Sequence, residues 1–330
     1  MSTKYPVFKA AAVRATPVIL DRDATIEKSC KFIKEAADNG AKLVAFPEGY
    51  IPGYPAWFYT RNLFDIGPWY HRLYQNSVEI PSPAIQRLSQ CAKENEVYVC
   101  TSITEKDGGS LYLAQIWFDP KGNLIGKHRK MRCSSGERLI WGDGEGSMFP
   151  VMDTEIGRLG GLLCWEHLVP SNLAVMNGLN EQVHVASWPN CDVLPNDTEI
   201  ASRYYAMSTQ TFVLQCASFL TDEAKKEFFV NQETIDFISS FPYCDTCIYD
   251  PNGVVISNVV SGPNEGIAYA DIDISKIINS KYMIDPAGHY ANKYISVNLY
   301  TGENPFLKKL GEDGKQNTIS YEEINAVEEL

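Results

Sequence analysis

Three residues with reactive side chains each follow an apolar stretch of this sequence. Glu48 comes after "LVAFP", Lys130 after "LIGKHR" and Cys164 after "LGGLL". In α/β folds, sites assemble where strands end, because the sheet fixes the backbone while the loops supply functional groups. A carboxylate brought to a thiol there can take its proton, and an ammonium group can lower the thiol pKa and stabilise charge on a substrate heteroatom. The pattern predicts a cysteine nucleophile with its own base and cation.

Each of the three residues also has a purely structural interpretation. A cysteine after an apolar strand is most often a packed small hydrophobe. Glu48 could cap a helix or turn, and Lys130 lies in the basic cluster "KHRK", which is typical of a solvated face. Residue types alone leave these alternatives open.

The segments that would position the three residues alternate between strand and helix patterns. Helices are expected over 23–40, closed by Gly40, from Ser82-Pro83 onward, and over 197–208. Period-2 and apolar runs bounded by turn residues predict the strands. These strands are expected at 8–13, 42–48, 97–105, 110–118, 124–128, a segment ending at Cys164, 182–188, 211–219, 246–250 and 254–260.

Strands interleaved with helices, together with hairpins, predict a single α/β domain with a mixed sheet or sheets. We expect it to span residues 1–300 of the 330. Residues 301–330 are polar and acidic and are expected to form a C-terminal tail.

Composition restricts the possible partners and the compartment. With 29 basic and 41 acidic residues the net charge is −12, which would repel a nucleic acid. No apolar run approaches the roughly 20 residues that span a bilayer, and no secretory signal is evident, so neither membrane insertion nor export is expected. Nine cysteines without an export signal are typical of free thiols in a reducing compartment, which predicts a cytoplasmic protein.

Three segments around these residues strongly resemble the signature segments of the nitrilase family of C–N hydrolases. They are "FPEGYIPGYP", "GKHRKMRCSSGERLIWGDGEGS" and "GGLLCWEHLVP", and the resemblance extends from about Tyr5 to about Leu299. It implies that Glu48, Lys130 and Cys164 form the Glu-Lys-Cys triad of that family. It also implies an αββα four-layer sandwich, a fold that the residue patterns alone do not specify.

The resemblance adds further site residues. Glu137, in the loop after the lysine, would be a second acid, although an ion pair with Arg129 or Arg132 is an alternative role. Trp165 and Trp188 would line the substrate pocket, each with ordinary core packing as the alternative.

Tyr54 would supply a further aromatic wall, which an organic nitrile would need. His167 lies three residues after Cys164 and suggests a Cys-His pair, but Glu48 already provides the base. No metal or organic cofactor is required by this chemistry, and "CDTC" (244–247) lacks the second pair of a closed zinc site.

The substrate implied by the resemblance is a nitrile or cyanide. The segments "AVMNGLNEQVHVASWP" and "SRYYAMSTQTFVL" are most similar to bacterial cyanide dihydratases, which convert cyanide to formate and ammonia. Small aliphatic or arylaliphatic nitriles are the alternative, followed by an amidase or an inactive assembly protein. The resemblance to this branch also implies that copies of the chain associate into a dimer-based spiral or filament.

Overall fold

Eleven strands form two β-sheets in the computed structural model, which describes residues 5–145, 149–189, 195–290 and 319–326. The strands in these ranges are β1 (Val7–Arg14), β2 (Ala41–Ala45), β3 (Tyr98–Asp107), β4 (Ser110–Phe118), β5 (Leu124–Arg129), β6 (Val151–Thr154), β7 (Gly157–Leu163), β8 (Val183–Trp188), β9 (Phe212–Ala217), β10 (Cys247–Tyr249) and β11 (Gly266–Asp273).

Helices cover the sheets. In the described residues they are α1 (Arg22–Asp38), α2 (Gly67–Gln75), α3 (Pro83–Asn95), α4 (Pro170–Gly178), α5 (Pro195–Thr209), α6 (Asp222–Phe228), α7 (Gln232–Ser239), α8 (Lys276–Met283) and α9 (Tyr321–Asn325). Side-chain caps fix where two of them begin. Asp21 accepts a hydrogen bond from the Ala24 N–H before α1, and Ser82 accepts one from the Ile85 N–H before α3.

Both sheets are mixed. The first has the order β11-β1-β2-β3-β4-β5, in which β1, β2 and β3 run parallel and the other pairings are antiparallel. The second has the order β10-β9-β8-β7-β6, with β7, β8 and β9 parallel. Parallel strands buried on both faces are consistent with the nearly continuous apolar runs in the sequence.

Alternation along the strands divides the core into layers. On β1, Ala10 and Ala12 face β7–β9 of the second sheet, while Ala11 and Val13 face α1 and α3. On β8, Val185 faces the first sheet, whereas other residues of the strand pack with α4 and α5. The two sheets therefore stack face to face with helices outside, which confirms the αββα sandwich.

Polar contacts join the two sheets near the ends of β2 and β8. The Ser187 hydroxyl donates to the Phe46 carbonyl at 2.9 Å, and the Glu48 N–H donates to the Trp188 carbonyl at 3.1 Å. Gln115 on β4 donates to the Ser187 hydroxyl at 3.0 Å. These bonds fix the relative position of the sheets at the edge where the reactive residues were predicted.

Several sequence-based expectations about elements were wrong. Residues 254–260 form isolated bridges at Val255 and Val260 instead of a strand, and β2 ends at Ala45 instead of Glu48. The short strand β6 and the edge strand β11 were not predicted, nor were α2, α4, α6, α7 and α8.

The predicted tail lies mostly outside the described residues. Within 319–326, Ile319 pairs with Leu124 at the end of the first sheet, and Ile324 of α9 is fully buried against the core beneath α3. This segment belongs to the outer helical layer. Of the cysteines, those in the described ranges are all free, and no helix there is long and apolar enough to cross a bilayer.

Gly161 on β7 faces the Gln115 side chain of the first sheet, which gives a test of this packing. A Cβ atom there would sit 2.4 Å from the Gln115 Oε1 and 2.7 Å from the Val185 carbonyl oxygen. We expect Gly161→Ala to lower the free energy of unfolding by about 1–3 kcal/mol, measured by urea titration, because the added methyl group must displace Gln115 from its bond to Ser187 across the sheets and also meets the Val185 carbonyl of β8. Gly178→Ala is the matched control, since a Cβ at Gly178 meets nothing within 4 Å. Equal stability of the two variants would contradict the close sheet contact.

Candidate active site

Glu48 lies three residues beyond the end of β2 and is almost completely buried. Its backbone is held by the bond to the Trp188 carbonyl, so the carboxylate projects from a fixed position between the sheets. Oε1 accepts a hydrogen bond from the Lys130 Nζ at 2.9 Å. Oε2 is also buried, and no described residue supplies it with a hydrogen bond.

Lys130 follows β5 directly and its side chain is fully buried. The Lys130 N–H donates to the Leu113 carbonyl at 2.8 Å, and its own carbonyl accepts from the Gly144 N–H at 2.7 Å. Nζ donates to both carboxylate oxygens of Glu137, at 3.0 Å and 2.8 Å, in addition to Glu48. The ammonium group therefore bridges two buried carboxylates, as charge pairing of a buried cation demands.

Glu137 is held by several donors at once. It lies in a short 3₁₀ helix (Ser135–Leu139), where Oε2 accepts from the Ser134 N–H at 2.7 Å in a capping box. Oε1 accepts from the Tyr54 hydroxyl at 2.8 Å. The structure pairs Glu137 with Lys130, whereas Arg129 pairs with Glu105 and Asp107, and Arg132 pairs with Asp143.

Cys164 immediately follows β7 and begins a 3₁₀ helix (Cys164–Leu168). Its backbone has φ of +50°, a left-handed conformation that costs an ordinary residue about 1–2 kcal/mol. The residue is 4% exposed, and a negative charge on its sulfur would act on both Lys130 and Tyr54. The structure therefore places Cys164 within electrostatic range of Lys130, and Glu166 bonds both Leu163 and Met131, the chain neighbours of the two residues.

Burial and neighbouring charges shift the pKa values of Glu48 and Lys130 in opposing ways. Burial raises the pKa of Glu48 to about 8; the Lys130 cation opposes the shift and Glu137 adds to it. Burial alone would lower the pKa of Lys130, but Glu48, a Cys164 thiolate and Glu137 together raise that pKa well above its usual value. Lys130 is therefore a permanent cation at neutral pH, and Glu48 is a carboxyl poised to exchange a proton.

Glu166 is a site residue that the sequence reasoning missed. Its Oε2 accepts from the Leu163 N–H at 2.9 Å and lies 2.8 Å from the His128 Nε2, and its Oε1 accepts from the Met131 N–H at 2.7 Å. Burial raises the pKa of Glu166, but His128 and the two backbone donors outweigh it, so the net shift is downward. This carboxylate ties the end of β7 to the residue after Lys130. The available signal in the sequence was a glutamate two positions after Cys164.

The remaining predicted residues lie in different environments. Tyr54 is buried and contacts the cluster through Glu137, and Trp165 is 42% exposed beside Cys164. The Trp188 indole is fully buried on the outer face of the second sheet, where it stacks on His167 and donates to the Ser202 hydroxyl. Trp188 contributes to the cluster through its carbonyl, which receives the Glu48 N–H.

A narrow cleft borders Glu48 and Tyr54. The rest of its wall is mainly apolar and includes Ile19, Phe219 and Phe228. Within the described ranges, no group of three or more His, Cys, Asp or Glu residues is arranged to hold a metal ion. The site thus combines a thiol, a carboxyl and an ammonium group, and the apolar cleft adjoins it at Glu48.

Comparison with known proteins finds relatives that match nearly the whole chain. The family model "Carbon-nitrogen hydrolase" matches residues 9–282. A nitrilase of Bacillus sp. (strain OxB-1) is 49% identical over 330 residues, covering 98% of this chain and 96% of the relative. An aliphatic nitrilase of Rhodococcus rhodochrous is 36% identical and covers 96% of this chain and 85% of its own.

Among solved structures, the fold is similar to that of Saccharomyces cerevisiae Nit3, a member of branch 10 of the nitrilase superfamily. The TM-score is 0.68 at 21% identity, with 86% of this chain and 96% of that chain covered. The matched family model, the full-length relatives and the four-layer sandwich lead to one conclusion: this chain belongs to the carbon–nitrogen hydrolase family.

Proposed function

We propose that this chain is a nitrilase that converts an organic nitrile and two water molecules into a carboxylic acid and ammonia. The full-length similarity to proteins named nitrilase and aliphatic nitrilase supports this proposal. The cluster of Glu48, Lys130, Glu137 and Cys164 supplies the groups that the reaction requires.

One observation carries the assignment of roles. Of the four carboxylate oxygens of Glu48 and Glu137, three accept hydrogen bonds from Lys130, Tyr54 or Ser134. Oε2 of Glu48 is the one that no described residue satisfies. A buried, unsatisfied carboxylate oxygen is the natural acceptor for a proton. Glu48 is therefore the general base and Glu137 the residue that holds Lys130.

In the first half of the reaction, Glu48 takes the Cys164 proton and the sulfur adds to the nitrile carbon. Charge then develops on the nitrogen, where the fixed Lys130 cation stabilises it, and the proton that Glu48 took from Cys164 passes to the nitrogen, giving a thioimidate and restoring the Glu48 carboxylate. Because Lys130 is already held by two carboxylates, little reorganisation is needed as this charge forms.

In the second half, Glu48 activates water twice. The first water adds to the thioimidate carbon, and the C–N bond breaks to release ammonia and leave a thioester. The second water adds to the thioester, and the C–S bond breaks to release the acid and restore the Cys164 thiol.

The names of the relatives favour an organic nitrile over cyanide, since they include an aliphatic nitrilase and an arylacetonitrilase. The cleft, which adjoins the cluster at Glu48 and not at Cys164, adds an apolar wall of Ile19, Phe219 and Phe228. Cyanide, the substrate favoured by the resemblance of the sequence, has no side chain to use such a wall. Cyanide is therefore the second candidate.

We also propose that copies of this chain associate through α5, as the first step towards a dimer-based spiral or filament. Ile200, Tyr204 and Met207 lie on one face of this helix and are each more than half exposed. Such a stripe gains free energy when a second copy covers it.

A substrate panel tests the proposed reaction. We expect the full chain to release ammonia from an aliphatic nitrile and an arylacetonitrile, with the carboxylic acid as product, and to act more slowly on the matching amides and on cyanide. Ammonia and acid are measured in parallel at equal substrate concentration. Faster formate production from cyanide would favour a cyanide dihydratase, and turnover of amides alone would favour an amidase.

Variants of the cluster test the assigned roles. We expect Cys164→Ala to abolish turnover and Glu48→Gln to lower kcat by about 10²–10⁴-fold, because the thiol loses its base. Cys216→Ala removes a buried thiol of the central layer, distant in sequence from the cluster, and should retain activity. Circular dichroism verifies the fold of each variant. Substantial nitrile turnover by folded Cys164→Ala would refute the nucleophile.

Light scattering tests self-association. We expect the native chain to have a mass larger than a dimer and Tyr204→Glu to shift it towards the monomer, because a charge is introduced into the apolar stripe. Lys34→Glu, on the exposed side of α1, is the control for a change of surface charge. An unchanged mass for Tyr204→Glu would exclude α5 as the contact.

A further inference from the structure

A continuous chain of buried polar groups extends from the Cys164 backbone away from the catalytic cluster. The His167 Nδ1 lies 2.5 Å from the Cys164 carbonyl oxygen, and its Nε2 lies 2.8 Å from the Nε2 of His184. The His184 Nδ1 lies 2.8 Å and 3.0 Å from the two carboxyl oxygens of Glu181. The Tyr205 hydroxyl donates to Glu181 at 2.6 Å.

These four side chains are buried and take no part in the mechanism above. His167, His184 and Tyr205 have no exposed surface, and Glu181 is 3% exposed. A polar group buried at this depth is costly unless each of its donors and acceptors is paired. Because the network pairs these donors and acceptors, we infer that the fold fixes the positions of its four side chains.

The geometry determines where the protons lie. A carbonyl oxygen only accepts, so the His167 Nδ1 must carry the hydrogen that bonds Cys164. The facing Nε2 atoms of His167 and His184 share a single hydrogen, because two would clash and none would leave two acceptors opposed. The network therefore has a direction, with donors pointing towards Cys164.

Burial determines the positions of the remaining protons. It lowers the pKa of His167 to about 3 and that of His184 well below its usual value, so both imidazoles are neutral. Burial also raises the pKa of Glu181 well above the usual range. With His167 donating through Nδ1, His184 donates through Nε2, and the His184 Nδ1 must accept a hydrogen from a protonated Glu181.

The surroundings of this network are shaped to keep it in place. The His167 ring stacks on Trp188 with centroids 5.2 Å apart, and the His184 ring contacts Tyr205 in a tilted arrangement with centroids 3.8 Å apart. Gly160 provides the space for the acid, since a Cβ there would clash with the Glu181 Oε1. Neither ring can rotate without losing both a ring contact and a hydrogen bond.

The network ends at a residue with an unfavourable backbone conformation. Cys164 adopts φ of +50° at the point where β7 turns into the 3₁₀ helix. Such a conformation persists only when the surroundings over-determine it. The His167 bond fixes the carbonyl of that residue, and Glu166 fixes the N–H of the preceding Leu163. Together they determine the direction in which the thiol points.

We propose that His167 is a positioning residue for the Cys164 nucleophile, held by His184 and by Glu181 acting as a neutral, hydrogen-donating acid. This inference rests on the proposed function for its effect on turnover, but its structural content does not depend on the substrate. It assigns a role to Glu181, which lies 17 residues after Cys164 and which neither accepts the thiol proton nor contacts the substrate.

Two substitutions of Glu181 test the neutral-acid assignment. Glu181→Gln keeps one donor and one acceptor of similar size, so we expect kcat within about twofold of the native value. Glu181→Leu removes both, and we expect kcat to fall by about 10–100-fold with little change in KM, the size of effect that a small misplacement of a reacting group produces. Equal loss in both variants would mean that the carboxylate charge is required and would overturn the neutral relay. Native kcat in folded Glu181→Leu would overturn the positioning role.

Two measurements decide the inference without nitrile turnover. The rate of Cys164 alkylation by iodoacetamide, followed by peptide mass spectrometry, should fall in Glu181→Leu and match the native rate in Glu181→Gln. The infrared difference spectrum between native protein and Glu181→Gln should contain a protonated-carboxyl C=O band at neutral pH. A carboxylate band in its place would overturn the inference even if Glu181→Leu fails to fold. If the native chain hydrolyses no nitrile, these results still decide the role of the network.

Discussion

The burial of one ammonium group between two carboxylates is the constraint on which the rest of the structure depends. Lys130 is fully buried and bonded to Glu48 and Glu137, and removing Lys130 would leave two buried carboxylates without a cation at a cost of about 3–5 kcal/mol. Two acids and one base cannot all be charged and balanced, so the excess negative charge is relieved at Glu48, whose pKa burial raises to about 8. The proton-accepting group thus arises from the same imbalance that makes the cluster costly to bury.

Such a cluster is tolerable only if its members cannot move apart, and the backbone around it is correspondingly constrained. Lys130 is bonded through both its N–H and its carbonyl, and Glu137 is fixed by a capping box. Glu166 joins the end of β7 to the chain beyond Lys130. None of these bonds takes part in chemistry, yet each limits the distances between the groups that do.

The sequence was sufficient to single out the three residues proposed to react, but not the groups that support them. Glu48, Lys130 and Cys164 drew attention because each follows an apolar strand, and strand ends converge in α/β folds; the resemblance to the nitrilase segments then favoured a triad over their structural alternatives. The roles of Glu166 and Glu181 depend on contacts with residues distant in the chain or on the opposite side of a strand, which periodicity does not encode. The segment 254–260 has a strand-like composition, but it forms only isolated bridges because its partners are set by tertiary packing. The position of Trp188 on the outer face of β8 follows from strand alternation, although an apolar run alone does not say which face is which.

The division of the site between the two sheets has a mechanical consequence. Glu48 and Lys130 project from the first sheet and Cys164 from the second, so the proposed base and the proposed nucleophile share no continuous strand ladder. Their separation is governed by how far one sheet can slide over the other, a shear mode resisted here by the Ser187 and Glu48 bonds between β2 and β8. Heat or pressure that loosens this interlayer contact would disengage the sulfur from its base while both sheets stay intact. Loss of activity would then follow from sliding of one sheet over the other, and it could be measured separately from the unfolding of either sheet.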